Sequence, residues 1–175
     1  MVKSEHDRSF SVIIPVFNEA DSIERALGTL LTADLPDVEL ELLVVDGQST
    51  DGTRELVSGY VERYDGVRLL DNEQRTTPTG FNVGFEAATN DIVVLMSGHA
   101  SVAEDFFIEI IDIFENRAPD CDVAGTTVTV ASSVFVQTSV AGALMTRFGA
   151  GSNWSNRYAG YVETVSFVAY KRRVI

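Results

Sequence analysis

Two apolar runs of this chain end in polar residues whose types suit hydrogen bonding to a ligand. Val12 to Val16 runs into Phe17, Asn18 and Glu19, and Leu42 to Val45 runs into Asp46. A helix-like segment separates the runs, at the distance one strand–helix–strand unit requires. Two parallel strands that finish this way bring their end residues to one edge of a sheet. Open α/β sheets bind ligands just outside the carboxyl ends of their strands. There Asp46 can accept hydrogen bonds from a base or a ribose, and Asn18 and Glu19 face the same crevice. The competing reading of Asp46 is a turn or helix-capping residue. No G-x-G-x-x-G and no Walker A pattern occurs, which argues against a dinucleotide dehydrogenase or a P-loop enzyme.

The elements that must position these residues alternate. Strands are predicted near Phe10–Val16, Glu41–Asp46, Val67–Asp71, Ile92–Met96, Val123–Val130 and Val162–Tyr170. Helices are predicted near Ala20–Thr32, Thr53–Tyr64, Pro78–Ala88, Ala103–Asn116 and Phe135–Phe148. In the first helix Ile23, Ala26, Leu27, Leu30 and Leu31 keep the period of a half-buried helix. The second starts after the turn signal Asp51-Gly52. Pro78 suits a first helical turn, where its missing N–H costs nothing. Gly80 and Gly84, one turn apart, permit close helix packing. This alternation implies an α/β fold, a mostly parallel sheet with helices on both faces. Residues 10–175 read as one domain behind a disordered lead-in, residues 1–9, which shows no signal-peptide pattern.

Charge narrows the partners. Thirteen Lys and Arg stand against 26 Asp and Glu, a net charge of −13, and only Lys3 and Lys171 are lysines. Such a surface argues against nucleic-acid binding. It suits either a high-salt cytoplasm, where screening tolerates self-repulsion, or an ordinary acidic enzyme. The single Cys121 excludes an internal disulfide and has no metal-site spacing. The longest uncharged stretch, Val123 to Thr146, is too interrupted by Thr, Ser and Gly for a membrane span, and reads as a strand followed by a helix.

The ordered motifs Ser11-Val-Ile-Ile-Pro-Val-Phe-Asn-Glu19 and Val44-Val-Asp-Gly-Gln-Ser-Thr-Asp-Gly-Thr-Arg54 resemble the family-two inverting glycosyltransferases, which use nucleotide-sugar donors on a GT-A fold. Arg75-Thr-Thr-Pro-Thr-Gly-Phe-Asn82, Ser97-Gly-His-Ala100 and Tyr161-Val-Glu-Thr-Val-Ser-Phe-Val-Ala-Tyr-Lys-Arg-Arg173 are similar to its succinoglycan-biosynthesis branch. The resemblance implies that Pro15, Phe17, Asn18 and Glu19 contact the nucleoside and that Asp46 grips the base. The family commonly has a second Asp where this chain has Gly47. It implies a basic residue near the donor phosphates; Arg75 fits through its bidentate fork, or is a solvated surface residue. Ser97 and His99 fall where the family carries the Asp-x-Asp pair that holds a divalent cation, manganese or magnesium, on the diphosphate. Ser97 replaces the first carboxylate there. A neutral imidazole suits manganese better than magnesium.

The same resemblance implies a saccharide or lipid-linked acceptor and a cytoplasmic location, with membrane association of the full-length protein left open. It places the glycine-rich loop Phe148-Gly-Ala-Gly-Ser-Asn153 and Trp154, Tyr158 and Tyr161 near the acceptor, although these aromatics equally suit packing. The catalytic base of the family follows the last sheet strand. It is therefore expected beyond Ile175, and Glu163, which precedes that strand, is not assigned to it. The chain then corresponds to the donor-binding part of a longer enzyme. Two rivals stand beside the transferase. A non-catalytic nucleotide-sugar-binding domain is favoured by Gly47 and Ser97. A nucleotidyltransferase should show a basic, glycine-rich loop after its first strand, which Phe17-Asn-Glu-Ala-Asp-Ser22 lacks.

Overall fold

A computed structural model describes residues 9–35, 38–125 and 168–175. Strand β1 (Ser9–Val16) leads through helix α1 (Ile23–Thr32) to β2 (Glu39–Asp46), and α2 (Thr53–Val61) leads to β3 (Val67–Asp71). Helix α3 (Thr77–Ala87) then returns the chain to β4 (Ile92–Leu95). Helix α4 (Phe106–Asp112) passes into a π-helical turn, Ile113–Arg117, before the short strands β5 (Val123–Gly125) and β6 (Val168–Lys171). The sheet order is β3-β2-β1-β4-β6-β5. Strands β3, β2, β1 and β4 are parallel, and β6 joins β4 and β5 antiparallel. The mostly parallel α/β sheet is as predicted, with an antiparallel edge.

The central strands are apolar on both faces because both faces are covered. Phe10, Val12, Ile14 and Val16 of β1 pack with Leu42, Val44, Ile92 and Val94 against α1, α2 and α4. Phe10 meets Phe107 edge to face, with ring centroids 4.9 Å apart. On the other face Ile13, Leu43, Val45 and Val93 lie under Phe81, Val83 and Phe85 of α3. Gly80 and Gly84 let α3 sit close: a Cβ at Gly84 would fall 2.1 Å from Ile13 Cγ2, and one at Gly80 2.9 Å from Pro15 Cβ.

Several boundaries differ from the sequence reading. Helix α1 starts at Ile23 rather than Ala20, because the Glu19 carbonyl accepts the N–H groups of Ser22 and Ile23 and shapes residues 20–22 as a turn. Strand β2 begins at Glu39, two residues earlier, and α2 ends at Val61, with a Tyr64 N–H to Tyr60 carbonyl bond closing its last turn. Thr76 caps α3, accepting the Thr79 N–H, which moves its start to Thr77. Helix α4 is three residues shorter at its start, and its last turn is π-helical. The predicted helix Phe135–Phe148, the glycine-rich loop, Trp154, Tyr158, Tyr161, Glu163 and most of the last two predicted strands lie outside the described residues.

Candidate functional site

The chain runs β1, β2, β3 outward, then returns to place β4 on the other side of β1. That reversal is a topological switch point, where the loops after β1 and β4 diverge and leave a crevice. Pro15, Val16, Phe17, Glu19, Gly47, Asn72, Arg75, Met96, Ser97, Gly98 and His99 line a cleft there, closed on one side by Thr76, Thr77 and Phe81. Of the residues read from the sequence, Pro15, Phe17, Glu19, Gly47, Arg75, Ser97 and His99 therefore meet in one place.

Asn18 belongs to a clasp between two loops. Its φ is +55°, its N–H donates to Ser49 Oγ at 2.9 Å, and its Oδ1 accepts the Thr50 N–H at 2.9 Å. Asp51 Oδ2 accepts the Ala20 N–H at 3.0 Å, and the Glu19 N–H donates to Thr53 Oγ1 at 2.8 Å. The Thr53 hydroxyl in turn donates to Asp51 Oδ1 at 2.5 Å. Hydrogen bonds from Thr53 first, then from Ala20, hold the exposed Asp51 carboxyl below its ordinary range. The Ser49–Thr53 segment thus sets the path of the turn after β1. Asn18 shapes that turn and is not among the residues lining the cleft, against the expectation that it faces the crevice.

Asp46 ends β2 with a side chain that has no exposed surface. Its two oxygens lie 3.3 Å from the Ser49 N–H, and Arg54 Nη1 reaches Oδ2 at 3.3 Å. Arg54 also holds Asp71 Oδ1, at the end of β3, at 2.6 Å. Asp46 is hence a buried, partnered carboxylate. Gly47 follows where space is short: its N–H donates to the Val16 carbonyl at 2.8 Å, and a Cβ would lie 3.3 Å from that oxygen.

The opposite wall hangs on Asn72, which is buried. Its Nδ2 donates to the Thr76 carbonyl, and its Oδ1 accepts the Thr79 hydroxyl, each at 2.8 Å. Arg75 follows with φ +58° and rests its guanidinium on Gln48 Oε1, with Nε at 2.8 Å. The guanidinium stays exposed at the mouth, beside Phe17, whose ring is half exposed.

Across the cleft, His99 Nδ1 lies 2.9 Å from Glu19 Oε1, and His99 Nε2 lies 3.4 Å from Ser97 Oγ. Among the described residues no three His, Cys, Asp or Glu side chains converge to hold a metal ion. One imidazole nitrogen and a hydroxyl fit a cation whose remaining ligands come from a phosphate group, and do not fit one held by protein alone. The sequence alone does not mark Arg54, Ser49, Thr53 and Asn72 as site residues. Their Ser, Thr, Asn and Arg types carry no signal until the fold brings β2, β3 and the β1 turn together.

Residues 11–173 match the family Glycosyl transferase family 2. The chain is 36% identical over 92 residues to glycosyltransferase AglE of Haloferax volcanii, covering 52% of this chain and 30% of that protein. It is 30% identical over 103 residues to the succinoglycan biosynthesis protein ExoA of Rhizobium meliloti, covering 58% of this chain and 31% of that one. It thus spans about a third of the length of these relatives. A mannosyltransferase of Pyrobaculum calidifontis, solved with GDP-Man and Mn2+, superposes with a TM-score of 0.66 at 24% identity, over 95% of this chain and 45% of that one. The strand order, the cleft at the switch point and the match over residues 11–173 agree: the chain has a GT-A fold and belongs to glycosyl transferase family 2.

Proposed function

We propose that this chain binds a nucleoside-diphosphate sugar in the cleft between β1 and β4 and serves its transfer, with inversion, to a saccharide or lipid-linked acceptor. The observation that carries the reading is the meeting of Phe17, Glu19, Arg75, Ser97 and His99 around one crevice beside buried Asp46. The base would lie toward Asp46 and the half-exposed Phe17 ring, which offers a stacking face. Arg75 carries its fixed charge at the mouth, where a diphosphate would pass, and can exchange Gln48 for phosphate oxygens. A divalent cation, when bound with the donor, would offset charge on the leaving diphosphate, with His99 Nε2 as its protein ligand and Ser97 beside it. Imidazole ligation favours manganese over magnesium. The general base that deprotonates the acceptor is assigned to none of the described residues.

Among the described residues no helix is long and apolar enough to cross a membrane. We take the site to work in the cytoplasm, at the inner face of a membrane when the acceptor is lipid-linked. Ser97, in place of a carboxylate, keeps the second reading open, a nucleotide-sugar-binding domain without catalysis. Calorimetric titration with UDP, GDP and other nucleoside diphosphates, with and without manganese, tests the binding step. One nucleotide should bind better with manganese present. Product analysis with labelled nucleotide sugars then separates transfer from binding alone, and the anomeric configuration of the product tests inversion. A chain that binds no nucleoside diphosphate overturns both readings.

A further inference from the structure

Glu19 lines the cleft, yet both its carboxylate oxygens are already directed at protein groups. Oε1 lies 2.9 Å from His99 Nδ1, and Oε2 accepts the Ser22 hydroxyl at 2.7 Å. The backbone beneath is fixed as well. The Glu19 N–H donates to Thr53 Oγ1, and its carbonyl starts α1 by accepting from Ser22 and Ile23. On the other side, the turn after β4 packs flush against this stem. A Cβ at Gly98 would fall 2.7 Å from Val16 Cγ1 and 3.4 Å from Glu19 Cγ. The Glu19 side chain is a quarter exposed, and that of His99 two-thirds. The imidazole is thus exposed but tied at one nitrogen, with Nε2 left at the cleft wall beside Ser97.

We propose that Glu19 is a positioning residue rather than a nucleoside contact: it accepts the Nδ1–H of His99, fixes that tautomer, and turns the Nε2 lone pair toward the cation that accompanies the donor diphosphate. The inference rests on the nucleotide-sugar reading of the cleft. A ligating imidazole whose other N–H is held by a carboxylate is oriented and made more basic, and losing such a partner typically costs 10–100-fold in metal affinity. The device matters more here than beside a carboxylate pair, because Ser97 adds only a hydroxyl. Both Glu19 oxygens are turned to protein groups, His99 and Ser22, rather than toward a nucleoside.

The chain has two histidines, His6 and His99, so nitrogen-15 spectra of its imidazoles are simple to assign with a His6→Ala control. At mildly alkaline pH, His99 should be the Nδ1–H tautomer in the free protein. Glu19→Gln, whose amide oxygen can still accept, should keep it, and Glu19→Ala should lose it. Paramagnetic manganese titration in saturating UDP or GDP should then show about 10–100-fold weaker manganese binding for Glu19→Ala and recovery in Glu19→Gln. Metal-free nucleotide affinity should be alike in all three. An Nε2–H tautomer in the unaltered chain overturns the proposal, as does equal manganese affinity in Glu19→Ala. A Glu19→Ala loss that is as large without metal returns Glu19 to the nucleoside contacts. If the unaltered chain binds neither nucleotide, the cleft reading falls and the cation role with it, while the tautomer still decides the Glu19–His99 bond.

Discussion

At Asp46 burial and recognition compete for the same two oxygens. The carboxylate has no exposed surface, and its charge is balanced by Arg54, which Asp71 also holds. Removing one partner of a buried charged hydrogen bond costs about 1–3 kcal/mol. A substitution there should therefore lower stability as well as affinity. Asp46→Asn keeps the shape and removes the charge. We expect urea unfolding to show a loss of about 1–2 kcal/mol, and nucleoside diphosphate affinity to fall by about 1–3 kcal/mol, as for a lost charged partner. Unaltered affinity in titration would remove Asp46 from the site and leave it a structural carboxylate. The position of Asp46 was legible because an apolar run that stops at an acid marks a strand end. The Arg54 pairing was not, since an Arg eight residues on in a helix has many possible partners until β3 brings Asp71 beside it. The Glu19–His99 pair is likewise 80 residues apart in sequence and joined only by the β1–β4 register.

Among the elements, α3 and α1 each carry glycines that mean opposite things. Both are helical positions, where Ala is preferred over Gly by about 1 kcal/mol. At Gly84 a Cβ would meet Ile13 of β1 at 2.1 Å, inside a packed face, and overpacking costs about 1–3 kcal/mol. At Gly28 a Cβ would find nothing within 4 Å. Gly84→Ala should therefore destabilise by about 1–2 kcal/mol, and Gly28→Ala should stabilise by about 0.5–1 kcal/mol. Chemical denaturation of the two variants checks both signs. The close packing was legible from the one-turn spacing of Gly80 and Gly84. The start of α1 was not, because Glu19, whose carbonyl sets it, is held by its N–H on Thr53 at the start of α2.

At the opposite sheet edge, away from the cleft, Glu41 ties β2 to its neighbours. It accepts the Ser11 hydroxyl and Arg68 Nη1, each at 2.7 Å, and the Thr89 N–H at 3.2 Å. Burial pushes its carboxyl up, but the bonds from Ser11, Arg68 and Thr89 together outweigh this and leave it below its ordinary 4.5. A folded-state pKa below the unfolded one gives stability that is present above 4.5 and lost as pH falls through the folded value. Unfolding free energy should thus stay level near neutrality and drop below about pH 4.5. Glu41→Gln should be less stable at pH 7 and show a shallower acid decline, as followed by urea unfolding across pH. The decline should not vanish, because Asp51 and Asp112 also sit below their ordinary values. An acid limb unchanged in Glu41→Gln would show that the Glu41 cluster does not couple folding to pH.

For the whole molecule the balance of charge decides how salt acts. Twenty-six acidic residues face 13 basic ones, which leaves a surplus of 13 negative charges. The described ion pairs of Arg54, Arg68, Arg117 and Arg173 all have side chains more than 40% exposed on the arginine side. Exposed pairs contribute about 0–1 kcal/mol each, and salt weakens them. Long-range repulsion among the surplus acids is weakened by the same salt, and there are more of those terms. Repulsion should win, so melting temperature should climb from dilute buffer into potassium chloride. The shape of the climb identifies its cause. The Debye length shrinks from about 30 Å at 0.01 M to about 10 Å at 0.1 M and 3 Å at 1 M. Screening therefore does most of its work by a few tenths molar, and the melting curve should level off there. A steady rise continuing through molar salt would instead mark the exclusion of salt from the surface, an effect on apolar burial that sulfate produces more strongly than chloride. A flat or falling curve would show that the ion pairs and a cation-independent core dominate, and that the −13 charge serves solubility rather than adaptation to salt.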